Sequence, residues 1–416
     1  MILQGLLSLT IGYLPIIVPL YLIAIGYGAV QLGLLITAVS FCAALFAVIS
    51  GVASDRLGRK TVIIASSLLM AFGTVVFSQV TSLYLLLIFG GISMISPQGG
   101  SGSGAGIGPY YPAVQALLSA HVDDHDRTTA LSSILLVCGI IGAAGSLIAK
   151  LPELLHHLAG MPMIAGYRAV FIVTAAINVM IAVLTLPVGE QRHPGTREGS
   201  PPSNDEAEAD PGHKRLGLSH DTWAIVWRFM LVNWTNGLAV GMLGPFVTYW
   251  FYRQWGTTAD QLGSLFFIIN LIVIPPLYAA GPLARRFGTV NVVAWSRAIS
   301  TVFLALVPLM PTLVLAYAAF LGRQLTNAMS VPIRQSYIMG VVRPSERAAA
   351  SGIANLPIQV GLTMSSLSAG FLMQLALTIP MEVSAAFQVV NTAIYWWFFR
   401  SLPPVEERAS ETRSAR

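Results

Sequence analysis

Three arginines lie inside predicted helices that are otherwise apolar: Arg297, Arg323 and Arg334. Arg323 is about 11 residues, or roughly 16 Å, from the start of its helix, which corresponds to the middle of a membrane span. A charge at that depth is costly in lipid, so we expect it to face a cavity or a polar partner. It can bind an anionic group electrostatically. The alternative is a structural arginine that caps helix carbonyls, and an interface role is the alternative for Arg334, nearer its helix end.

Amide side chains accompany these arginines at helical spacing. Asn327 lies one turn after Arg323, and Asn233 and Asn236 are three residues apart, so each set shares one helix face. We therefore predict a polar cavity between the helices. For each residue taken alone, packing or helix–helix hydrogen bonding is the alternative. The predicted cavity residues are Tyr13, Tyr110, Tyr111, Asn233, Trp234, Asn236, Arg323 and Asn327.

A glycine-rich stretch, residues 97–109, interrupts a long apolar segment. Glycine at this density disfavours a helix, and broken backbone at membrane depth survives only where protein or a water-filled cavity satisfies it. A resumed half-helix starting at Pro109 would direct its positive N-terminal end into the cavity. The alternative is a flexible loop between helices. The residues of the predicted break are Gly99, Gly100, Gly102, Gly104, Gly106 and Pro109.

Other chemistries find little support in the sequence. No acidic residue or histidine falls in the middle of a predicted span, so carboxylate-based proton coupling is not expected, with Asp55 and Glu382 as fallback candidates. Residues 121–126 contain two histidines and three aspartates, but a solvated loop explains them better than a metal site. Cys42 and Cys138 are too isolated for a disulfide framework. We predict no enzyme activity, no metal and no cofactor.

The elements that position these residues follow from composition. Of 416 residues, 55% are hydrophobic and only 10% are charged, against about 25% charged in soluble domains. Too little polar surface remains to cover a soluble globule, so the chain is predicted to be an all-α integral membrane protein. Its net charge of +5 comes from loops on one side and does not indicate nucleic-acid binding.

Apolar runs of sufficient length predict twelve transmembrane helices. Residues 189–221 are polar and poor in apolar side chains, which indicates a linker between two six-helix bundles. The predicted domains are residues 1–188, the linker 189–221, residues 222–402 and a tail, 403–416. The predicted spans are 2–24, 29–52, 61–80, 83–120, 129–149, 166–187, 225–251, 261–282, 289–309, 312–341, 350–374 and 381–400.

Most lysines and arginines fall in the loops after the even-numbered spans, in the linker and in the tail, so both termini are predicted to be cytoplasmic.

The sequences of the two bundles also repeat each other. Residues 31–33, Gln-Leu-Gly, recur as residues 261–263, and Gly58 recurs as Gly288, both at an offset of 230. Pro112 and Arg127 recur as Pro332 and Arg347 at an offset of 220. An even number of spans in each half predicts a parallel repeat, and hence two pseudo-symmetric bundles.

Residues 51–60 read Gly-x3-Asp-Arg-x-Gly-Arg-Lys, a basic turn between two apolar runs. With the twelve spans, linker and duplication, this sequence resembles the major facilitator superfamily over its whole length. The resemblance implies alternating access and a conformational latch between the halves. The residues of this predicted latch are Gly51, Asp55, Arg56, Gly58, Arg59, Lys60 and Arg127. The degenerate second copy keeps Gly281 and Gly288 but has Arg285 in place of Asp55, which favours a latch over a topology signal.

The resemblance implies a secondary transporter of a small solute, predicted to be a monomer in a prokaryotic cytoplasmic membrane. Export is favoured over uptake. Arg323 and the broken fourth span would face each other across the pseudo-twofold axis, which favours a polar or anionic substrate. The fifth span lacks the Gly-Pro of the family's antiporter signature, so proton antiport is not implied. The alternatives are an anion uniporter or exchanger, and a non-transporting sensor or lipid-handling protein.

Overall fold

The computed structural model describes residues 2–95, 127–187, 219–244, 246–342 and 347–400. All regular structure in these ranges is helical. Helices that are sufficiently long and apolar supply eight membrane-spanning segments within the same ranges. The helices are α1 (Ile2–Ala24), α2 (Ala29–Leu57), α3 (Arg59–Gln79), α4 (Leu83–Ser93), α5 (Arg127–Ser146), α6 (Leu151–Ala159), α7 (Met163–Thr185), α8 (His220–Leu243), α9 (Phe246–Trp255), α10 (Ala259–Ile272), α11 (Ile274–Phe287), α12 (Thr289–Leu306), α13 (Leu313–Val341), α14 (Arg347–Leu375) and α15 (Ile379–Phe399).

The duplication predicted from the sequence reappears in the backbone. Gly58 and Gly288, 230 residues apart, have φ values of 90° and 84°, which only glycine adopts readily. Each is the single residue that separates two helices, α2 from α3 and α11 from α12. Gln31 and Gln261 also correspond, since each side chain accepts a hydrogen bond from the backbone N–H that precedes its helix. Corresponding residues therefore start and stop corresponding helices.

Several predicted boundaries need correction. The turn expected over residues 51–60 is reduced to Gly58, because α2 continues to Leu57 and α3 begins at Arg59. The single span predicted over 225–251 is divided into α8 and α9. The span predicted over 261–282 is likewise two helices, with Val273 between them and prolines in the first turn of α11. Proline lacks the N–H that a continuous helix needs, which accounts for that interruption.

Two other spans differ from the predicted ranges. The fifth is followed by a short 3-10 turn and an additional helix, α6, which ends at Gly160 in a left-handed conformation (φ 62°). Of the fourth predicted span, 83–120, the structure describes α4 and the two residues after it, Met94 and Ile95. The predicted glycine break at residues 97–109 lies outside the described residues.

Small residues allow the helices within each half to approach closely. In the first half α1 packs on α5, where a Cβ added to Gly145 would lie 2.2 Å from the Leu9 carbonyl oxygen. In the second half α8 packs on α14, where a Cβ at Gly237 would lie 2.3 Å from the Ile358 carbonyl oxygen. Backbone contact of this kind is how helices associate in lipid, where the hydrophobic effect between helices is weak.

The two halves meet where α1 ends and α2 begins, which we name the Gly28 end. A Cβ at Gly33 of α2 would lie 2.8 Å from the Ser366 carbonyl oxygen of α14. A Cβ at the corresponding Gly263 of α10 would lie 2.8 Å from the Ser146 carbonyl oxygen of α5. The ion pair between Lys150 and Asp260 (2.9 Å) adds a polar contact. Repeated glycines therefore make equivalent contacts between the halves.

Candidate functional site

A buried arginine and a partly buried arginine converge on two asparagines in the second half of the chain. Asn236 of α8 accepts hydrogen bonds through Oδ1 from Arg297 Nη2 of α12 (2.7 Å) and from Arg334 Nη1 of α13 (3.5 Å). Arg334 Nη2 also donates to Asn233 Oδ1 (3.3 Å). The two asparagines lie on one helix face, as their spacing of three residues predicts. We name these four residues the arginine–asparagine cluster.

The cluster is tied to a fourth helix. Asn233 Nδ2 donates to the carbonyl oxygen of Ala354 (2.7 Å) and to Asn355 Oδ1 (3.3 Å), both in α14. These bonds fix the orientation of the Asn233 amide, because its nitrogen faces α14 and its oxygen faces Arg334. Four helices, α8, α12, α13 and α14, therefore position the cluster. All of them belong to the second half of the chain.

Positive charge in the cluster has no carboxylate partner in the described part of the chain. Arg297 is only 1% exposed, Arg334 is partly buried, and the charges of Arg334 and Arg323 act on Arg297. The sequence has no acidic residue between Asp260 and Glu346. A neutral amide oxygen can orient a guanidinium but cannot neutralise it. Two cations that share one amide therefore leave positive charge without a counter-charge among the described residues.

Arg323, the arginine that the sequence predicts to line the substrate cavity, lies next to the cluster and is not hydrogen bonded to it. Its guanidinium donates to Gln324 Oε1 of the same helix and lies 5.9 Å from the centre of the Phe320 ring. Its carbonyl oxygen accepts a hydrogen bond from Ser300 Oγ of α12 (3.1 Å). The guanidinium thus contacts an amide and a ring of its own helix, and the role of Arg323 as a substrate contact stays a prediction. Asn327, one turn along, is half-buried, and its carbonyl oxygen accepts a hydrogen bond from Ser330.

The other predicted cavity residues are dispersed. Tyr13 is wholly buried in the first half, with its hydroxyl 2.8 Å from Thr174 Oγ1 of α7. Trp234 is 37% exposed, and its carbonyl oxygen contacts α14 beside Gly361. Tyr110 and Tyr111 lie outside the described residues. The sequence thus predicted Asn233 and Asn236 together, but it did not predict that Arg297 and Arg334 would be their partners.

Six of the seven predicted latch residues lie at the junction of α2 and α3. Gly51, Asp55 and Arg56 belong to the last turns of α2, Arg59 begins α3, and Arg127 begins α5. The contacts predicted for the Asp55, Arg56, Arg59 and Arg127 side chains lie outside the described residues. Lys60 Nζ donates to the carbonyl oxygen of Leu186, just beyond α7 (2.5 Å), so this end of α3 is attached to the sixth span.

Comparison with known proteins identifies the fold. The model of the Major Facilitator Superfamily matches residues 1–234 and 229–416. A membrane protein of Saccharomyces cerevisiae without an assigned function is 24% identical over 324 residues, 73% of this chain and 71% of that protein.

Solved structures of transporters have the same architecture. A bacterial homolog of the human lysosomal transporter Spinster, inward-facing and occupied, aligns with a TM-score of 0.71 at 14% identity over 96% of this chain and 95% of that chain. The nucleoside transporter NupG aligns with a TM-score of 0.67 at 14% identity over 96% of this chain and 97% of that chain. The xylose transporter XylE from Escherichia coli, in its inward-open conformation, aligns with a TM-score of 0.66 at 13% identity over 96% of this chain and 95% of that chain. The chain is an all-α membrane protein of two pseudo-symmetric six-helix bundles, and it belongs to the major facilitator superfamily.

Proposed function

We propose that the protein is a secondary transporter that moves a small polar or anionic solute by alternating access. Transport fits a fold whose two halves meet at the Gly28 end through backbone-to-backbone contacts at Gly33 and Gly263. Rocking of one bundle against the other is the motion typical of such parallel repeats. With the termini assigned to the cytoplasm by the positive-inside rule, the Gly28 end is the outer end, and this conformation is closed outwards.

One observation carries the choice of substrate: buried arginines in the second half have no carboxylate partner among the described residues. A cation inside a membrane bundle is expensive unless something compensates it, so its presence favours a ligand with negative charge. The substrate cavity of the proposal includes Asn233, Asn236, Arg323 and Asn327. Tyr110, Tyr111 and the glycine break at residues 97–109 would complete it from the first half.

The proposal includes a coupling mode and a location. The second half carries acidic residues only near helix ends, at Asp221, Asp260 and Glu382 among its helices, which argues against a buried carboxylate as a proton carrier. An electroneutral exchange of anions, or uniport, is therefore the runner-up mechanism. We place the protein in a prokaryotic cytoplasmic membrane with both termini cytoplasmic, as a monomer, and favour export over uptake.

The test is flux of anions into proteoliposomes that contain the full chain. We expect Arg334→Gln to lower the initial rate at least tenfold, since a charge-assisted hydrogen bond contributes about 1.5–3 kcal/mol. Arg253→Gln is the matched control, because Arg253 is an exposed cation over the Tyr249 ring in α9. Equal rates for wild type and Arg334→Gln with every transported anion would contradict the anionic substrate.

A sensor on the same fold is the candidate of a different class. It would bind ligand, raising the apparent stability of the purified protein, and would give no flux in proteoliposomes. Flux that continues after the pH gradient is collapsed supports transport without proton coupling. Flux that depends strictly on the pH gradient would overturn the coupling mode while leaving the transporter assignment intact.

A further inference from the structure

We propose that the arginine–asparagine cluster is an oxyanion site, in which Arg334 binds the carboxylate or phosphate group of the substrate and Arg297 supplies a fixed second charge. This inference rests on the proposed transport function and names the substrate class. It assigns the anion contact to Arg334 rather than to Arg323, which lies on the same helix, α13, and which the sequence favoured.

The two arginines are held differently. Arg297 is 1% exposed and makes a close hydrogen bond to Asn236 (2.7 Å), so its guanidinium is fixed in the protein interior. Arg334 is only partly buried, and its bonds to Asn236 (3.5 Å) and Asn233 (3.3 Å) are at the weak end of the hydrogen-bond range. Arg334 is therefore the arginine that can exchange amide oxygens for a ligand.

The amide oxygens of Asn233 and Asn236 occupy the two positions that an oxyanion would take. A guanidinium presents a planar fork of N–H donors that matches carboxylate and phosphate oxygens in pairs. Arg334 directs two such donors at two separate amide oxygens, which carry only partial negative charge. An oxyanion that replaces them would keep both hydrogen bonds and add the missing counter-charge.

A second observation points to an anion. Arg297 Nε is buried and has no hydrogen-bond partner, so this guanidinium retains donor capacity that the protein does not use. The nearest cations, Arg323 and Arg334, raise the local positive potential further. Asn236 connects Arg297 to Arg334, which makes Arg297 a positioning residue that acts on the ligand through charge and through that amide.

The test measures the melting temperature of the purified full chain with phosphate, sulfate or succinate, each replacing chloride at constant ionic strength. We expect at least one of these oxyanions to raise the melting temperature of wild type by about 2 °C or more. Phosphate and succinate distinguish a tetrahedral from a planar group. A wild-type protein that responds to none of the three would overturn the proposal.

Three variants localise the effect. Arg334→Gln should lose the oxyanion response, and Arg253→Gln, the exposed control, should keep it. Asn236→Asp provides an internal carboxylate between the two arginines, so it should melt at or above the wild-type temperature without ligand and show no response to oxyanions. A response that survives in both Arg334→Gln and Asn236→Asp would place the anion elsewhere and refute the site.

Transport assays separate this inference from the function on which it rests. If the oxyanion response maps to Arg334 but proteoliposomes show no flux, the site stands and the transporter assignment fails. If a neutral solute is transported at the same rate by wild type and Arg334→Gln, the transporter assignment stands and the oxyanion site fails as a substrate site.

Discussion

At the scale of single residues, the Asn236 side chain orients two arginines of the second half. Asn236 Oδ1 is the only acceptor with which Arg297 hydrogen bonds through its side chain in the described structure, and Arg334 shares it. A buried arginine without an acceptor would keep its charge and lose its compensation. We therefore expect Asn236 to contribute to the stability of the fold even before a ligand is considered.

This requirement can be tested with Asn236→Leu, which preserves approximate volume and removes the acceptor. We expect a loss of about 2–3 kcal/mol of stability, because a buried charged donor loses its partner. Thermal denaturation of the purified protein measures it, with Asn327→Leu as the control, since Asn327 is half-buried and its side chain is outside the cluster. Equal losses in the two variants would argue against a special role for Asn236.

At the scale of helices, the fold depends on close approach between α8 and α14. A Cβ at Gly241 would lie 2.1 Å from Ser365 Oγ and 2.6 Å from the Leu362 carbonyl oxygen. Ser365 and Ser366 also donate to carbonyl oxygens of α8, at Gly237 (3.4 Å) and Gly241 (3.3 Å). Since α8 holds both asparagines of the cluster, the spacing of this helix pair sets the position of the site.

We therefore expect Gly241→Ala to destabilise the protein and to lower anion transport, because α14 must shift away from α8 to admit the methyl group. Gly139→Ala in α5 is the matched control, since nothing lies within 4 Å of its added Cβ. That control should be neutral or stabilising by up to about 1 kcal/mol, the difference in helix propensity. Melting temperatures of both variants decide the outcome, and indistinguishable values would contradict the packing argument.

At the scale of the whole molecule, the proposed alternating access depends on the contacts between the halves at each end. At the Gly28 end these contacts include Lys150 with Asp260 (2.9 Å) and Asn270 Nδ2 with Ser146 Oγ (3.2 Å). Both members of the ion pair are more than a third exposed, so the bond adds little to global stability. Under the proposed alternating access, we expect it to act on the equilibrium between conformations, because opening this end would separate the two side chains.

Lys150→Glu should shift that equilibrium towards the state in which the Gly28 end is open by up to about fivefold, since a surface ion pair contributes up to about 1 kcal/mol. The double variant Lys150→Glu with Asp260→Lys restores opposite charges and should restore the wild-type population. Accessibility of a cysteine introduced near the Gly28 end reports the populations. Failure of the charge reversal to restore them would exclude the ion pair as the cause.

The opposite end of the bundle contains the predicted latch. Asp55 lies in the last turns of α2, three residues before the Gly58 junction, and the corresponding residue of the second half is Arg285. We expect Asp55→Asn to lower transport strongly without reducing the amount of protein in the membrane. Arg285→Gln is the control, because the degenerate copy has no carboxylate to lose. Normal transport by Asp55→Asn would leave residues 51–60 as a topology signal only.

Sequence alone determined the membrane class, the twelve spans and the duplication, because these depend on local quantities. Hydropathy sets the length of a span, and glycines such as Gly58 and Gly288 stop helices through their own backbone freedom. The pairing of Asn233 with Asn236 was also predictable, since helical periodicity alone places them on one face.

Only the tertiary structure decided which cations these asparagines meet. Arg297 and Arg334 lie 61 and 98 residues away from Asn236 in the chain, and their approach depends on how α8, α12 and α13 pack together. Depth in a span identified Arg323 as the foremost candidate, but depth does not specify the direction of a side chain. In the folded protein, the Arg323 side chain contacts Gln324 and Phe320. Arg297 and Arg334 instead donate to the Asn236 amide.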